Sequence, residues 1–357
     1  MKQAIKCFRP SIGAEEQKNI YECLQSGELG FGKEVIKFEE GFKNFSNKKF
    51  NVGVSSASAA AYILFAYFKR KYGICDVYVP SLAFTSPVWA AKEHGHNIIF
   101  VDVDENLLFS CEDYKSKRYP NSTWLRKTIV MPILYGGVSN IPNFDLIGDE
   151  IVVVDSAHCI TPKIKSDFIF FSFHSLKPIC MSNGGMISCN NEESDQYFRK
   201  YRNFGRENKE QTYDIIQEGF NFYLNNLNAS LGLAQIEKAF KNIQTRKRNY
   251  LEIEDTTTEK AGRFLQHDEN SSYYLSTLIL NKQKQRELIN FMSESGIQAS
   301  YHYPPLHMTK FYKRGPNPLE NTEKIYKRIV NLPIHQNLSD GQLNDIVKCV
   351  NTFFKEQ

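Results

Sequence analysis

The sequence predicts an α/β protein built on a mostly parallel, doubly wound sheet, with a smaller α+β domain towards the C-terminal end. Three observations predict it. Short apolar runs rich in β-branched and aromatic residues recur at 50–54, 76–79, 98–101, 128–133, 151–155 and 168–171. Each is long enough for a buried strand and too short for a buried helix. Segments of helical length alternate with them across short loops, as in βαβ units on a parallel sheet. A polar, threonine-rich break at 252–260 then precedes one further strand, 273–280, and one further helix, 284–295. The expected organisation is a large domain over 1–250 and a small one over 251–357, the N-terminal helix contributing to the small domain.

Composition limits the function classes. With 357 residues, 41% of them hydrophobic, the chain can bury a core in a large domain and a second, smaller one. Charged residues make up 24%, both signs are mixed and the net charge is +4, which argues for neither a nucleic-acid nor a membrane partner. No run approaches the length of a transmembrane helix. The eight cysteines are scattered with no CxxC pair, and no signal peptide is evident, so reduced thiols and a cytoplasmic location are expected. The histidines lack paired metal-ligand spacing, so no metal site is expected.

Taken in order, residues 13–26 form an amphipathic pattern with Ile20, Cys23 and Leu24 on one face. Gly27, Gly30 and Gly32 punctuate a loop that no regular element would keep. A helix over 34–45 leads to the first strand, 50–54. The small residues from Val54 to Ala59 carry the chain into a nearly apolar helix, 59–72, buried against the sheet. Small residues at a helix N-terminus let free N–H groups approach an anion. Ala57 and Ser58 are therefore assigned to a phosphate cradle, an ordinary capped helix being the alternative. The run Arg246-Lys247-Arg248 reads as the solvated end of a long helix over 225–249.

The chemistry concentrates at two strand ends. The run 151–155 ends on Asp155, with His158 three residues on. The run 168–171 is followed by Ser172, His174, Ser175 and Lys177, before Gly184-Gly185 opens another strand step. In open α/β sheets, ligands bind outside the carboxyl ends of the strands. A desolvated lysine there can form Schiff bases with carbonyl compounds and with pyridoxal phosphate. A carboxylate on a neighbouring strand end can pair with the pyridinium nitrogen and keep the ring an electron sink. His158 could reach the ring's phenolic oxygen, and Ser172 could be a second phosphate ligand. Singly, a solvated loop lysine, a helix-capping Asp155 and a packed neutral His158 remain open.

Asp-Ser-Ala-His at 155–158, Ser-Phe-His-Ser-Leu-Lys at 172–177 and Asn-Gly-Gly-Met at 183–186 together resemble the DegT/DnrJ/EryC1/StrS family. Its members are pyridoxal-phosphate-dependent aminotransferases acting mostly on nucleotide-linked keto-sugars. The similarity runs from about Arg9 to about Asn351. It implies an aspartate-aminotransferase-type fold (fold type I), with Lys177 catalytic and Ala57, Ser58, Asp155, His158 and Ser172 at the cofactor. It implies that Phe84 stacks on the cofactor ring, and that Asn221 reaches the phosphate of a partner subunit in a homodimer. It places the glycine loop, and Phe31 in it, near the substrate. It also places the segment carrying His302, Tyr303 and His307 over the site, packed histidines beside prolines being the alternative there. Glutamate is the implied donor and a keto-sugar the implied acceptor. The sequence departs from the family pattern at Ala57, Ile133, Asn183 and Tyr223. Two rival readings follow from the same family: a sugar dehydratase, whose signature replaces the lysine with histidine, and a non-catalytic binding or regulatory member.

Overall fold

The computed structural model describes residues 4–118, 126–207, 214–312 and 318–355. Seven strands form the main sheet: β1 (Phe50–Val54), β2 (Asp76–Pro80), β3 (Asn97–Val101), β4 (Thr128–Val130), β5 (Ile151–Asp155), β6 (Phe168–Ser172) and β7 (Gly185–Cys189), in the order β1-β7-β6-β5-β4-β2-β3. The pairs from β3 through β2, β4 and β5 to β6 are parallel. β7 is antiparallel to both neighbours, so β1 again points the same way as β6. β8 (Gly262–Phe264), β9 (Ser276–Leu280) and β10 (Ile329–Leu332) form an antiparallel sheet with β9 central. The expected mostly parallel α/β sheet with a smaller α+β unit is what the chain adopts.

The reasons are local. All five residues of β5 are buried, as a central strand covered on both faces by helices requires. The helix Ala57–Tyr72 packs its apolar residues, Ile63, Leu64, Phe65 and Phe68 among them, on one face of the sheet. It starts where the Ser56 side chain accepts from the Ala59 amide at 3.1 Å, and it ends on Gly73 at φ 72°. On the other face one apolar cluster runs from Phe38, Phe171 and Phe173 into Tyr274, Leu278 and Val330 of the smaller sheet. The two sheets therefore share a core.

Several expectations change in detail. The helix expected over 34–45 is two, Lys33–Gly41 and Lys43–Ser46. The strand expected over 128–133 stops at Val130; Ile133 makes only an isolated bridge to Asp155. The strand expected from Tyr273 begins at Ser276, because Tyr273 lies at φ 46°, outside the extended region. Of the expected apolar face, Cys23 is buried but Leu24 is exposed, and the helix Ala14–Ser26 also buries Glu16, which meets Lys238 at 2.5 Å. The long helix spans Asn226–Thr256, past the expected end. Arg246 is then not at a solvated end but buried, its Nε donating to Gln336 at 3.1 Å. Ile5, ahead of the first helix, pairs with Ile297.

One cluster closes the sheet edge at β1. An open edge strand presents unpaired backbone groups. Here Glu39 accepts from the Gly53 amide at 2.8 Å, Arg202 donates to the Gly53 carbonyl at 2.6 Å, and Arg199 donates to the Asn51 carbonyl at 3.0 Å. Both arginines also pair with Glu39. Burial pushes the Glu39 carboxyl up, but the Arg202 and Arg199 guanidiniums outweigh it and hold the carboxyl below its usual range. The segment from Phe222 completes the edge, its carbonyl accepting from Ser55 at 2.7 Å.

Glu39→Ala should destabilise the protein by about 3–5 kcal/mol, because it strands Arg202 as a buried, unpaired cation. Urea unfolding measures this. A midpoint equal to that of the unchanged protein would refute the cluster's role.

Candidate active site

The carboxyl ends of β1, β4, β5 and β6 point to one edge of the sheet, and a cavity of about 250 Å³ opens there. β7 runs the other way, so its first residue, Gly185, arrives at the same edge. A Cβ at Gly185 would sit 2.5 Å from the Ser56 carbonyl and 2.7 Å from the Ala57 amide. Only glycine lets β7 approach the turn where Ser56, Ala57 and Ser58 line the cavity. The first intrahelical bond of the helix that follows is from Ala60 N–H to the Ser56 carbonyl, so the N–H groups of Ala57 and Ser58 lie ahead of the ladder. Ser58 bonds Ser86 at 2.8 Å, and Ser86 also lines the cavity.

Lys177 and Asp155 face this one cavity. Lys177 sits on a tight turn, its amide donating to the His174 carbonyl at 2.8 Å. Burial lowers its amine to a pKa of about 7, although the Asp155 charge opposes the shift. Burial raises Asp155 to about 6, against the Ala157 amide it accepts from at 3.0 Å and against the Lys177 charge. Among the described residues no direct ion pair joins the two. Each is a charged group removed from water without full compensation, as is common at functional sites.

His158 lines the same cavity and is neutral, because burial pushes its pKa well below the ordinary value. Its Nε2 meets the Tyr303 hydroxyl at 3.1 Å, while its Nδ1 is buried without a partner. Tyr303 keeps its proton, since burial raises its pKa. The imidazole can then accept from Tyr303 at Nε2 and carry its proton on the buried, unpartnered Nδ1. A buried carboxylate, an unpartnered N–H donor, an amine and a helix N-terminus around one space fit pyridoxal phosphate: pyridinium nitrogen, phenolic oxygen, aldehyde and phosphate in turn.

Of the residues selected from sequence, Ala57, Ser58, Phe84, Asp155, His158, Ser172, Lys177 and Tyr303 come together at the cavity. Four do not line it. Phe31 lies against the Arg202 guanidinium at 4.7 Å and edge-on to Tyr223. His302 is bonded to Asn331 at 2.7 Å. His307 is buried between Ser81, at 2.6 Å, and Glu323, at 3.3 Å, a clamp between the end of β2 and the small sheet's side. Asn221 pairs with Asn203 in an isolated bridge. Sequence reasoning missed Ser86, Pro87 and Tyr274 in the lining. Ser86 and Pro87 follow Phe84 and could have been found with it. Tyr274 carries no local signal. Among the described residues, no cluster of His, Cys, Asp or Glu could hold a metal ion, and no helix is long and apolar enough to cross a membrane.

The chain is similar to known proteins along nearly its whole length. The sequence model of the DegT/DnrJ/EryC1/StrS aminotransferase family matches residues 10–351. GDP-perosamine synthase of Vibrio cholerae is 26% identical over 98% of this chain and 99% of its own. UDP-4-amino-4,6-dideoxy-N-acetyl-beta-L-altrosamine transaminase of Campylobacter jejuni is 26% identical over 90% of this chain and 91% of its own. The structure of PseC of Helicobacter pylori, an aminotransferase involved in pseudoaminic acid biosynthesis, superposes with a TM-score of 0.89 at 22% identity, covering 99% and 100% of the two chains.

Asp155 makes a stability prediction with a definite sign. Its folded pKa lies above the unfolded one, so the unfolded chain loses the proton first and stability falls as pH rises from about 4 to about 6. At pH 8, Asp155→Asn should stabilise the cofactor-free protein by on the order of 2 kcal/mol. Below pH 4 the stability gain should vanish, and at any assay pH the variant should lose most of its turnover, because an amide cannot hold a pyridinium charge. Thermal melts at both pH values check this; equal or lower stability at pH 8 contradicts the assignment.

Proposed function

The chain belongs to the DegT/DnrJ/EryC1/StrS aminotransferase family, and on that premise we propose that it moves an amino group from glutamate to a nucleotide-linked keto-sugar, using pyridoxal phosphate, in amino-sugar biosynthesis for surface or related glycans. The observation that carries this is Lys177 and Asp155 facing one buried cavity at the strand ends, each with a pKa moved towards neutrality. Bound there, pyridoxal phosphate supplies an aldehyde carbon and an electron sink.

The chain's own residues supply the rest. Asp155 would hold the pyridinium nitrogen, His158 Nδ1 the phenolic oxygen, and the Ala57–Ser58 turn with Ser172 the phosphate. Phe84, exposed at the cavity, would cover the ring face. Lys177 Nζ, with its pKa of about 7, can give and take a proton near neutrality. His158 and Tyr303 stay uncharged, so their hydrogen bond fixes orientation without competing for that proton.

The acceptor is inferred from chemistry and from relatives. The segment carrying His302, Tyr303 and His307 offers histidine, tyrosine and proline but no arginine to grip a second carboxylate. Arg314, the nearest candidate in sequence, lies outside the described residues. The names of the two relatives refer to GDP- and UDP-linked sugars. A homodimer with shared sites is part of the same reading. Asn221 does not reach its own chain's cavity, and the neighbouring Phe204, Ile215 and Phe220 are exposed apolar residues of the kind a self-complementary interface would cover.

The protein should purify yellow, bleach with glutamate and then aminate a member of a panel of nucleotide-linked 3-keto and 4-keto sugars. Rapid turnover of simple 2-keto acids with no sugar aminated would overturn the acceptor. Borohydride reduction and peptide mapping should label Lys177; a label elsewhere removes its role. Sedimentation should find a dimer at assay concentration, and an active monomer would exclude shared sites.

A further inference from the structure

Lys177 has an unexpected neighbour. Its Nζ stands over the ring of Tyr274, 4.2 Å from the centroid. Tyr274 comes from far along the chain, just before β9, and is itself buried. Its ring is held from other sides: it stacks on Phe8, with centroids 5.3 Å apart, and packs against His158 at 4.4 Å. The hydroxyl does not titrate near neutrality, since burial raises its pKa. One rigid, uncharged aromatic ring thus touches both the reacting amine and the imidazole beside it.

We propose that Tyr274 is a positioning residue for Lys177, whose ring face seats the amine and stabilises its protonated form. The physical basis is the ring quadrupole. The negative face attracts an ammonium and not a neutral amine, and the attraction grows when water is excluded. The other groups facing Lys177 do not offer a direct partner. Asp155 favours the charged form only at a distance, His158 and His302 are neutral through burial, and Tyr303 spends its hydroxyl on His158. His174, also at the cavity, contributes its backbone carbonyl to the turn. Burial alone would drive the amine towards its neutral form. Tyr274 opposes that drive and keeps the amine protonated over a wider pH range, while fixing where it points.

The inference rests on the reading of Lys177 as the reacting lysine, but its test does not need turnover. The full-length chain, freed of cofactor, is labelled at Lys177 with a small acylating reagent across a pH series, and the midpoint is read by peptide mass spectrometry against an exposed lysine. Replacing Tyr274 with pentafluorophenylalanine keeps the ring's size and reverses its quadrupole. That variant should move the midpoint down by about one pH unit, so that labelling at pH 6 rises severalfold. Tyr274→Phe, which keeps an electron-rich face, should leave the midpoint in place. Tyr274→Leu should behave as the fluorinated ring does if it folds, and the fluorinated variant decides the matter if it does not. A midpoint unmoved by fluorination overturns the proposal, as does an equal shift in Tyr274→Phe, which would assign the effect to the hydroxyl. Neither result would bear on whether the chain transfers amines to sugars.

Discussion

The close approach of Gly185 to the Ser56–Ala57 turn is the constraint on which the site depends. β7 runs opposite to the other six strands of the main sheet, and its N-terminal end meets the C-terminal ends of β1 and β6. A side chain at that position would collide with backbone atoms, which cannot rotate out of the way. With glycine there, the helix N-terminus after β1 lies beside the turn that carries Lys177. The edge cluster of Glu39, Arg199 and Arg202 keeps β1 in place from its other side. Backbone packing and a buried ion cluster together put the Ser56–Ser58 turn on the same cavity as the Lys177 amine.

That cavity is costly to build. Lys177 and Asp155 are both deprived of water, and each is moved towards its uncharged form. A protein selected only for stability would replace them with apolar residues of similar volume. Two charged groups destabilised side by side in one cavity are the pattern expected of a functional site. His158 belongs to the same account, its buried Nδ1 left without a partner while Tyr303 and Tyr274 fix its ring.

The smaller sheet is part of the site as well as a neighbour of it. Its core is continuous with one face of the main sheet, and through that continuity Tyr274 and Tyr303 reach the cavity. His307 is fastened to Ser81 and Glu323 instead. The histidine thus holds the segment that carries Tyr303 against the end of β2. A residue selected as a substrate contact is, in this chain's geometry, what holds the wall in place.

The sequence by itself determined the sheet, the strand ends and the chemical type of the groups placed there. Those properties are local: a buried run of β-branched residues needs no distant partner to be recognised, and an acid or lysine just past such a run can lie only at the strand's end. Asp155, His158, Ser172 and Lys177 were legible for this reason, and the glycine pair ahead of β7 marked a close approach. What only the tertiary structure decided is long-range. Arg246 looked solvated because its neighbours in sequence are basic, yet the small sheet's side buries it. His302 and His307 shared a segment with Tyr303, yet only Tyr303 lines the cavity. Tyr274 sits nearly a hundred residues from Lys177 in the chain, and no pattern around it foretells the contact. Such contacts depend on how two sheets pack through one shared core. Packing is set by the summed shape of many side chains, which no single stretch of sequence carries.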